Sequence, residues 1–350
     1  MFSSYHTRVS NRREFIKKLS VISAGSACVT ISLLQSCSTI DEYLITDPSN
    51  LENRVIIVGG GIVGLYAAYQ LKKRKVPYRI FEASHRLGGQ ILSEQKIEYG
   101  AFDFSNTDLT LLNLINELQL KTEKLDSKSW SLKDGGQSLI SILQDRIASI
   151  LPEQQLRFNC KLMSLENSGN KFKLNFATPG SDKAYYSSKI ILAIPVQDVL
   201  KINGLDLNFK LEDCADYRYL RVVIPVQKIN SKSKLAKVNI LSVSGITASL
   251  RVLKNTVHIT FQGFASEWTL PEQIESLDRW IAENIFSQAT LGLQSDQVYI
   301  WNQKQFKSGN SIVKPQKIKN RVIVSDGSGT SQSKIENLLL QVNQQIDEFL

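Results

Sequence analysis

The chain has 350 residues, 42% of them hydrophobic, which is enough to bury a substantial core in a two-lobed unit or in two domains. Its formal net charge is +9, but residues 1–36 hold five Lys or Arg and one Glu, or +4, so the remainder carries only +5. Those charges are interspersed and form no basic stripe with interleaved aromatic residues, which argues against nucleic-acid binding.

The N-terminal segment has the features of an export signal. The run NRREFIK at residues 11–17 precedes a weakly apolar stretch, 19–34, that is short for a membrane span. This arrangement resembles a twin-arginine signal, and LQSC, ending at Cys37, resembles a bacterial lipobox. We therefore expect export by the twin-arginine translocation machinery and a lipid anchor on Cys37 at the periplasmic face. The alternative is an amphipathic N-terminal helix with a chance Arg-Arg pair.

Residues 37–53 are polar and lack periodicity, which predicts a tether. The first clear structural pattern follows it. Apolar residues 55–58 predict a strand, a glycine-rich turn comes next, and a helix is predicted up to about Leu71. This order is the one required for a βαβ dinucleotide-binding unit.

Three glycines of that turn have the G-x-G-x-x-G spacing. Gly59 permits the tight turn, Gly61 leaves room for a pyrophosphate, and Gly64 allows the helix to pack close to the sheet. The helix N-terminus at Ile62 offers N–H groups to the phosphates. Glycines that serve only the packing of a βαβ unit are the alternative.

An acidic residue, Glu82, ends a second apolar run, 78–81, and lies 18 residues beyond Gly64. A carboxylate at this point can accept hydrogen bonds from a ribose diol and repels a 2′-phosphate. The pattern therefore favours FAD or NAD over NADP.

The run EASHRLGGQ at 82–90 separates these cofactors. It resembles the E-x-x-x-R-x-G-G-R motif of the flavin-containing amine oxidase and phytoene desaturase superfamily of FAD-dependent oxidoreductases. The resemblance implies FAD, with Arg86, Gly88 and Gly89 along its pyrophosphate and ribityl chain. Gln90 replaces the usual Arg; it donates a hydrogen bond but adds no charge.

Later segments match the same superfamily in order. A helix is predicted after the glycines at 135–136, then a strand at 156–165 that forms a hairpin with 171–177, and a buried strand at 185–195 that a proline ends. The resemblance implies that the backbone of Leu162 contacts the adenine.

The second half of the chain predicts an antiparallel sheet and a final helix. Period-2 runs occur at 219–226, 238–243, 247–253 and 256–261; a helix with Pro271 in its first turn is expected at 271–286 and a strand at 298–301. A last parallel strand, 320–325, ends at Asp326, and a helix follows at 331–349. The resemblance implies that Asp326 binds the ribityl chain and that the helix start, near Ile335, points at the flavin ring.

The predicted fold class is α/β. A Rossmann-type FAD-binding domain (parallel sheet with helices) is expected from residues 54–103, 134–204 and 297–350. A smaller α+β substrate domain with an antiparallel sheet is expected from residues 104–133 and 205–296.

The predicted substrate side departs from the superfamily pattern. The segment 104–135 is short, Arg221 occupies a position where many members have a lysine, and Lys334 replaces an aromatic residue of the amine cage. Trp301 and Phe306 either line the pocket or belong to the core. No spacing predicts a metal site, and Cys160 and Cys214 are expected as buried thiols, with a disulfide as the alternative.

These patterns predict an FAD-dependent oxidoreductase that transfers hydride from an amine-like or other small organic substrate to flavin N5. No catalytic side chain can be assigned. The alternatives are a non-catalytic flavin-binding protein of the cell envelope and a desaturase-like enzyme that acts on an apolar lipid.

Overall fold

In a computed structural model of the chain, the described residues are 54–94, 97–98, 104–125, 129–148, 156–205, 214–230, 240–243, 246–253, 255–306, 322–323 and 334–349. They belong to a single unit, residues 51–350. The predicted signal, the tether with Cys37, and Asp326 lie outside the described residues.

The described strands, in chain order, are β1 (Val55–Val58), β2 (Tyr78–Phe81), β3 (Ser93–Glu94), β4 (Ile97–Glu98), β5 (Phe104–Ser105), β6 (Thr122–Lys124), β7 (Ser129–Leu132), β8 (Leu156–Arg157), β9 (Lys161–Ser168), β10 (Lys171–Ala177), β11 (Lys183–Ser187), β12 (Lys189–Leu192), β13 (Cys214–Pro225), β14 (Ile240–Val243), β15 (Ile246–Leu253), β16 (Thr256–Phe264), β17 (Val298–Phe306) and β18 (Val322–Ile323). The described α-helices are α1 (Ile62–Lys73), α2 (Leu109–Glu117), α3 (Gly136–Ile147), α4 (Val196–Val199), α5 (Ile274–Ile281) and α6 (Lys334–Phe349).

A five-stranded parallel sheet forms the centre of the first half of the fold. Its strand order is β18-β12-β1-β2-β8, and every neighbouring pair is parallel. All four residues of β1 and of β2 are buried, as expected for strands covered on both faces. The sheet confirms the predicted α/β class with its Rossmann-like order.

Two different layers cover the faces of this sheet. Ile57 and Ile80 belong to the core formed with α1, α3 and α6. Ile56 and Phe81 belong to a second core formed with the three-stranded sheet β11-β10-β9, in which Phe81 stacks on Phe176 at 4.3 Å between ring centroids. Alternate residues of one strand thus contribute to opposite cores.

Two segments that the sequence predicted as single strands are each divided between two sheets. Residues 156–165 split into β8 and β9 at Asn159, whose φ of 54° is left-handed, a conformation that Asn tolerates well. Residues 185–195 split into β11 and β12 at Ser188. There the Ser187 Oγ donates to the Arg54 carbonyl at 2.8 Å and fixes the chain as it changes sheets. The apolar pattern continues across the second break because Tyr185 of β11 and Ile190 of β12 lie in one core. At the first break, Leu156 of β8 packs against the core of α1, whereas Leu162 of β9 lies in the other core.

Residues of the segment predicted as part of the substrate domain, 104–133, pack elsewhere. Phe104, Leu111, Ile115 and Leu132 lie in the same core as α1 and α3. The described part of this segment therefore widens the dinucleotide-binding half and does not join the antiparallel sheet.

The antiparallel sheet has the order β14-β15-β16-β13-β17. Its last strand, β17, pairs with β13 along nine residues, although the predicted division placed 297–350 with the dinucleotide-binding part. The helix predicted at 271–286 begins later, at Ile274, because Gln273 is its N-cap and Pro271 precedes it; a π-helical turn, Ala282–Phe286, continues it. Apolar residues of this helix cover one face of the sheet.

A buried carboxylate connects α5 to the loop before β17. Asp278 is 7% exposed and accepts hydrogen bonds from the Thr290 hydroxyl, from Leu291 N at 3.0 Å and from Leu293 N at 3.1 Å. Burial raises the pKa of this carboxyl, but these hydrogen bonds outweigh burial and lower it below the ordinary value of 3.8.

We predict that Asp278→Asn lowers the free energy of unfolding at pH 7 by about 2 kcal/mol, since hydrogen bonds to a charged acceptor become bonds to a neutral one. Because the folded-state pKa is lowered, the stabilisation is present above about pH 4 and is lost as the pH falls through that pKa. Urea unfolding at pH 7 and pH 3 checks both points. The exposed Glu283→Gln is the control, and an Asn variant as stable as the wild type at pH 7 would refute the assignment.

Candidate functional site

The glycine turn between β1 and α1 is held by backbone contacts that exclude side chains. Gly59 has a φ of 107°, and a Cβ there would lie 2.3 Å from the Ala193 carbonyl oxygen. A Cβ on Gly64 would lie 1.9 Å from the Gly59 carbonyl oxygen. These glycines let α1 start directly at the end of β1.

Gly61 differs from the other two glycines because it has space around it. It is the N-cap of α1 in an extended conformation, no side chain caps the helix there, and the nearest atom to an added Cβ is the Gly89 Cα at 3.9 Å. The first N–H groups of α1 therefore have no side-chain acceptor. Such a helix start favours an anion.

A second glycine pair lies against the first turn. Gly88 N donates to the Gly60 carbonyl at 2.9 Å, and both Gly88 and Gly89 have left-handed φ values of 103° and 58°. A Cβ on Gly89 would meet the Gly61 Cα at 3.3 Å. The two turns thus present bare backbone to one space.

Arg86 stabilises the second turn through hydrogen bonds to backbone carbonyls. Its Nη2 donates to the Gly89 carbonyl at 2.7 Å, and its Nη1 donates to the carbonyls of Leu87 at 3.2 Å and Ile91 at 3.3 Å. Arg86 does not line the cavity described below. In this structure its contacts stabilise the loop, whereas the sequence resemblance implied a phosphate partner.

Glu82 connects the first turn to the end of β2. Its Oε2 accepts from Gly60 N at 2.6 Å and its Oε1 from Ser84 N at 2.8 Å, so the carboxylate is fixed by two backbone donors. Each oxygen retains a further lone pair for a ligand hydroxyl.

These elements surround a cavity of about 670 Å³, a size typical of small-molecule sites. Most of the residues predicted from the sequence line it: Gly59, Gly61, Ile62, Glu82, Gly88, Gly89, Gln90, Leu162 and Ile335. Gly64 and Arg86 lie behind the wall, where they support it.

The remaining wall was not predicted from the sequence. Ile194 and Pro195 follow β12, and Tyr299, half-buried on β17, reaches the cavity from the antiparallel sheet. Asp198 and Lys201 also line the cavity, with the Asp198 Oδ1 and the Lys201 Nζ 3.4 Å apart. Pro195, which follows β12, was the available sequence signal for this part of the wall. Nothing in the local sequence pattern distinguished Tyr299.

Glu336 fixes the start of α6, which carries the cavity residues Ile335 and Leu338. It is 7% exposed, and its two oxygens accept from Thr110 N and Leu111 N, each at 2.8 Å. A residue from α6 thus satisfies the free N–H groups at the start of α2. The sequence drew attention to this region through the predicted helix start near Ile335 and the replaced aromatic residue at Lys334, but it did not single out Glu336.

The other side chains considered from the sequence contribute less. Arg221 is half-buried on β13, where its Nε donates to the Thr260 hydroxyl at 3.0 Å, and it does not line the cavity. Trp301 and Phe306 lie in β17, but their side chains are outside the described set. Cys160 is a free, buried thiol that lines the cavity.

Within the described ranges, no group of three or more His, Cys, Asp or Glu residues is placed to hold a metal ion. The helices of those ranges include none that is both long and apolar enough to cross a membrane.

Known proteins resemble the segment around the two glycine turns in sequence, and they resemble most of the chain in fold. A family model described as "NAD(P)-binding Rossmann-like domain" matches residues 57–110. L-amino-acid oxidase 4 from Hebeloma cylindrosporum is 39% identical over 69 residues, which are 19% of this chain and 11% of that enzyme. The sequence match thus spans about a tenth of the relative's length.

Solved structures show the same fold over a larger part of the chain. Putrescine oxidase bound to putrescine superposes with a TM-score of 0.60 at 10% identity, covering 85% of this chain and 99% of that one. Cyclohexylamine oxidase from Brevibacterium oxydans IH-35A gives 0.59 at 10% identity, with coverages of 85% and 99%. p-Nitrophenol 4-monooxygenase from Pseudomonas putida DLL-E4 gives 0.56 at 12% identity, with coverages of 86% and 80%. At these identities the likeness establishes the fold.

We predict that alanine has very different effects on stability at two glycines of the first turn. Gly64→Ala should lower the free energy of unfolding by about 3 kcal/mol or more, because its Cβ would overlap the Gly59 carbonyl. Gly61→Ala should remain within about 1 kcal/mol of the wild type, since its backbone conformation suits alanine and the space is open. Chemical denaturation of the two variants measures this contrast, and equal losses would contradict it.

Proposed function

We propose that the cavity binds FAD in an extended conformation and that the protein is an FAD-dependent oxidoreductase. This proposal rests on one observation. The uncapped start of α1, two glycine turns without side chains and a carboxylate held by two backbone donors all line one cavity. A pyrophosphate needs the first two features, and a ribose diol needs the third.

Each wall of the cavity fits one part of such a ligand. The N–H groups at Ile62 and the open backbone at Gly61 and Gly89 would hold the pyrophosphate. The free lone pairs of Glu82 would accept from the adenosine ribose, and the Leu162 backbone would contact the adenine. Gln90 would add a neutral donor where a charged Arg is usual in the superfamily that the sequence resembles.

Bound FAD would supply a ring that accepts hydride from the substrate. The protein's own contribution is to orient the substrate and exclude water. Ile194 and Pro195, which follow β12, and Tyr299, from β17 of the antiparallel sheet, supply an apolar and aromatic part of the wall. We propose an amine-like or other small organic substrate, in line with the amine and amino-acid oxidases among the similar proteins.

One observation favours a second candidate, a flavin-binding protein without catalytic activity. Phe104, Leu111 and Leu132 pack into the dinucleotide-binding core, so the described part of 104–133 builds no lid from these side chains. The two candidates differ in one measurement. Anaerobic bleaching of bound flavin by any member of an amine, amino-acid and alkene panel identifies an enzyme; an unbleached flavin across the panel, although dithionite reduces it, favours the binding protein.

We predict that Gly61→Ala weakens FAD binding by at least about tenfold, because the new methyl group faces the space needed by the pyrophosphate. Visible absorbance of the purified protein and FAD titration of the stripped protein provide the measurement. Gly169→Ala is the matched control: its φ of 66° makes alanine strained, but nothing lies within 4 Å and it is remote from the cavity lining. An alanine at 61 that leaves FAD affinity unchanged would contradict the placement of the pyrophosphate.

We also propose that residues 1–36 direct export and that Cys37 is lipidated, on the basis of the twin-arginine-like and lipobox-like runs. In a bacterial host, Cys37→Ser should abolish incorporation of labelled fatty acid and release the protein from the membrane fraction. Replacing Arg12 and Arg13 by Lys should instead retain it in the cytoplasm. Unchanged labelling of the Cys37 variant would show that Cys37 does not carry the lipid.

A further inference from the structure

A second hollow lies beside the cavity. We call it the Arg157 hollow; it measures about 460 Å³, and its lining includes Arg157, Cys160, Thr178, Lys183 and Tyr185. Cys160 lines both spaces, so the hollow adjoins the cavity at the end that contains Glu82 and Leu162. Nothing in the proposed oxidoreductase chemistry uses it.

Arg157 is a half-buried cation of this lining, and the protein leaves one of its donors unsatisfied. Its Nε is the single buried side-chain nitrogen or oxygen in the described part of the chain that has no hydrogen-bond partner. The backbone of Arg157 is firmly placed, because its carbonyl accepts from Glu82 N at 2.8 Å. A buried donor without an acceptor is costly, and an arginine offers its donors in a planar array that matches an oxyanion. Because Nε is closed to solvent, an acceptor in the hollow would meet the outer nitrogens of the guanidinium and not Nε itself.

The positive charge of Arg157 is reinforced by its surroundings. The exposed Lys183 lines the same hollow, and no Asp or Glu is among the lining residues. Burial raises the pKa of the Cys160 thiol, and the charges of Arg157 and Lys183, which line the same hollow, oppose that rise. Burial and the charges of Arg54 and Arg157 also lower the pKa of the buried Arg79 to about 10.

We propose that the Arg157 hollow binds an oxyanion, the phosphate or sulfate group of a small ligand, with Arg157 as a planar donor and Lys183 as a second cation. The site is separate from the predicted FAD cavity and does not depend on that proposal. The group either belongs to a free phosphorylated ligand or is an extra phosphate on a nucleotide that enters from the neighbouring cavity.

The test is the unfolding temperature of the purified protein in inorganic phosphate, with chloride adjusted to hold the ionic strength constant. We expect a saturable rise in the wild type. Arg157→Gln should weaken the apparent phosphate affinity by about tenfold or more, and Lys183→Gln by a few fold, because charge-assisted hydrogen bonds or a nearby charge are lost. The strand position and exposure of Lys183 make its variant a safeguard if the Arg157 variant does not fold.

Lys133→Gln removes an exposed charge outside this lining and should leave the phosphate response unchanged. No rise in the wild type, or the same response in all variants, would overturn the proposal. The source of the group is separated by comparing NADP⁺ with NAD⁺. An Arg157-dependent preference for NADP⁺ assigns the site to a nucleotide phosphate, and a phosphate response without that preference assigns it to a free ligand. The response requires no flavin, so failure of FAD binding leaves this test intact.

Discussion

The contact between two glycine turns is the constraint on which the site depends. Gly88 N donates to the Gly60 carbonyl, and the Cα of Gly61 approaches the second turn so closely that a side chain on Gly89 would touch it. The turns come from segments separated by more than twenty residues, and each is fixed by a different neighbour. Glu82 holds the first through Gly60 N, and Arg86 holds the second through three carbonyls. Without these supports, bare backbone would not face the cavity from both sides.

The rest of the fold closes the cavity around these turns. The helix α6 is placed by Glu336, whose carboxylate serves the start of α2, and it thereby brings Ile335 and Leu338 to the wall. The antiparallel sheet contributes Tyr299 through β17. A cavity lined from the parallel sheet and from the antiparallel sheet has one wall suited to a dinucleotide and another available to a substrate. The division of roles is the usual one for cofactor enzymes, in which the protein supplies position and environment.

Much of the fold could be predicted from the sequence because the relevant signals are local. The strand at 55–58, the turn at 59–64 and α1 form one continuous pattern, and the residues around Glu82 and Gly88 repeat a known spacing. The breaks at Asn159 and Ser188 were not predicted, since apolar periodicity does not reveal which sheet a strand joins. The packing of Phe104, Leu111 and Leu132 into the core of α1, and the pairing of β17 with β13, likewise depend on contacts between distant segments.

The candidate site shows the same limit. Nine predicted residues line the cavity because glycine and acid spacing reports on the backbone geometry of a ligand cradle. Arg86 was predicted as a direct contact, but its donors are used by its own loop, which only the three-dimensional arrangement shows. Tyr299 reaches the cavity from another sheet, and Glu336 accepts from backbone groups 226 and 225 residues away. The assignment of a cofactor is therefore better founded than that of a substrate.

We infer that the cavity accommodates a dinucleotide along its length, from the turns at Gly61 and Gly89 to the end at Glu82 and Leu162. Titration of the flavin-free protein with FAD and with FMN, followed by flavin fluorescence, tests it most directly. We expect saturable FAD binding that is at least about 100-fold tighter than FMN binding, because FMN lacks the adenosine half that would contact Glu82 and Leu162. Equal affinities for the two flavins, or no binding of either, would contradict it.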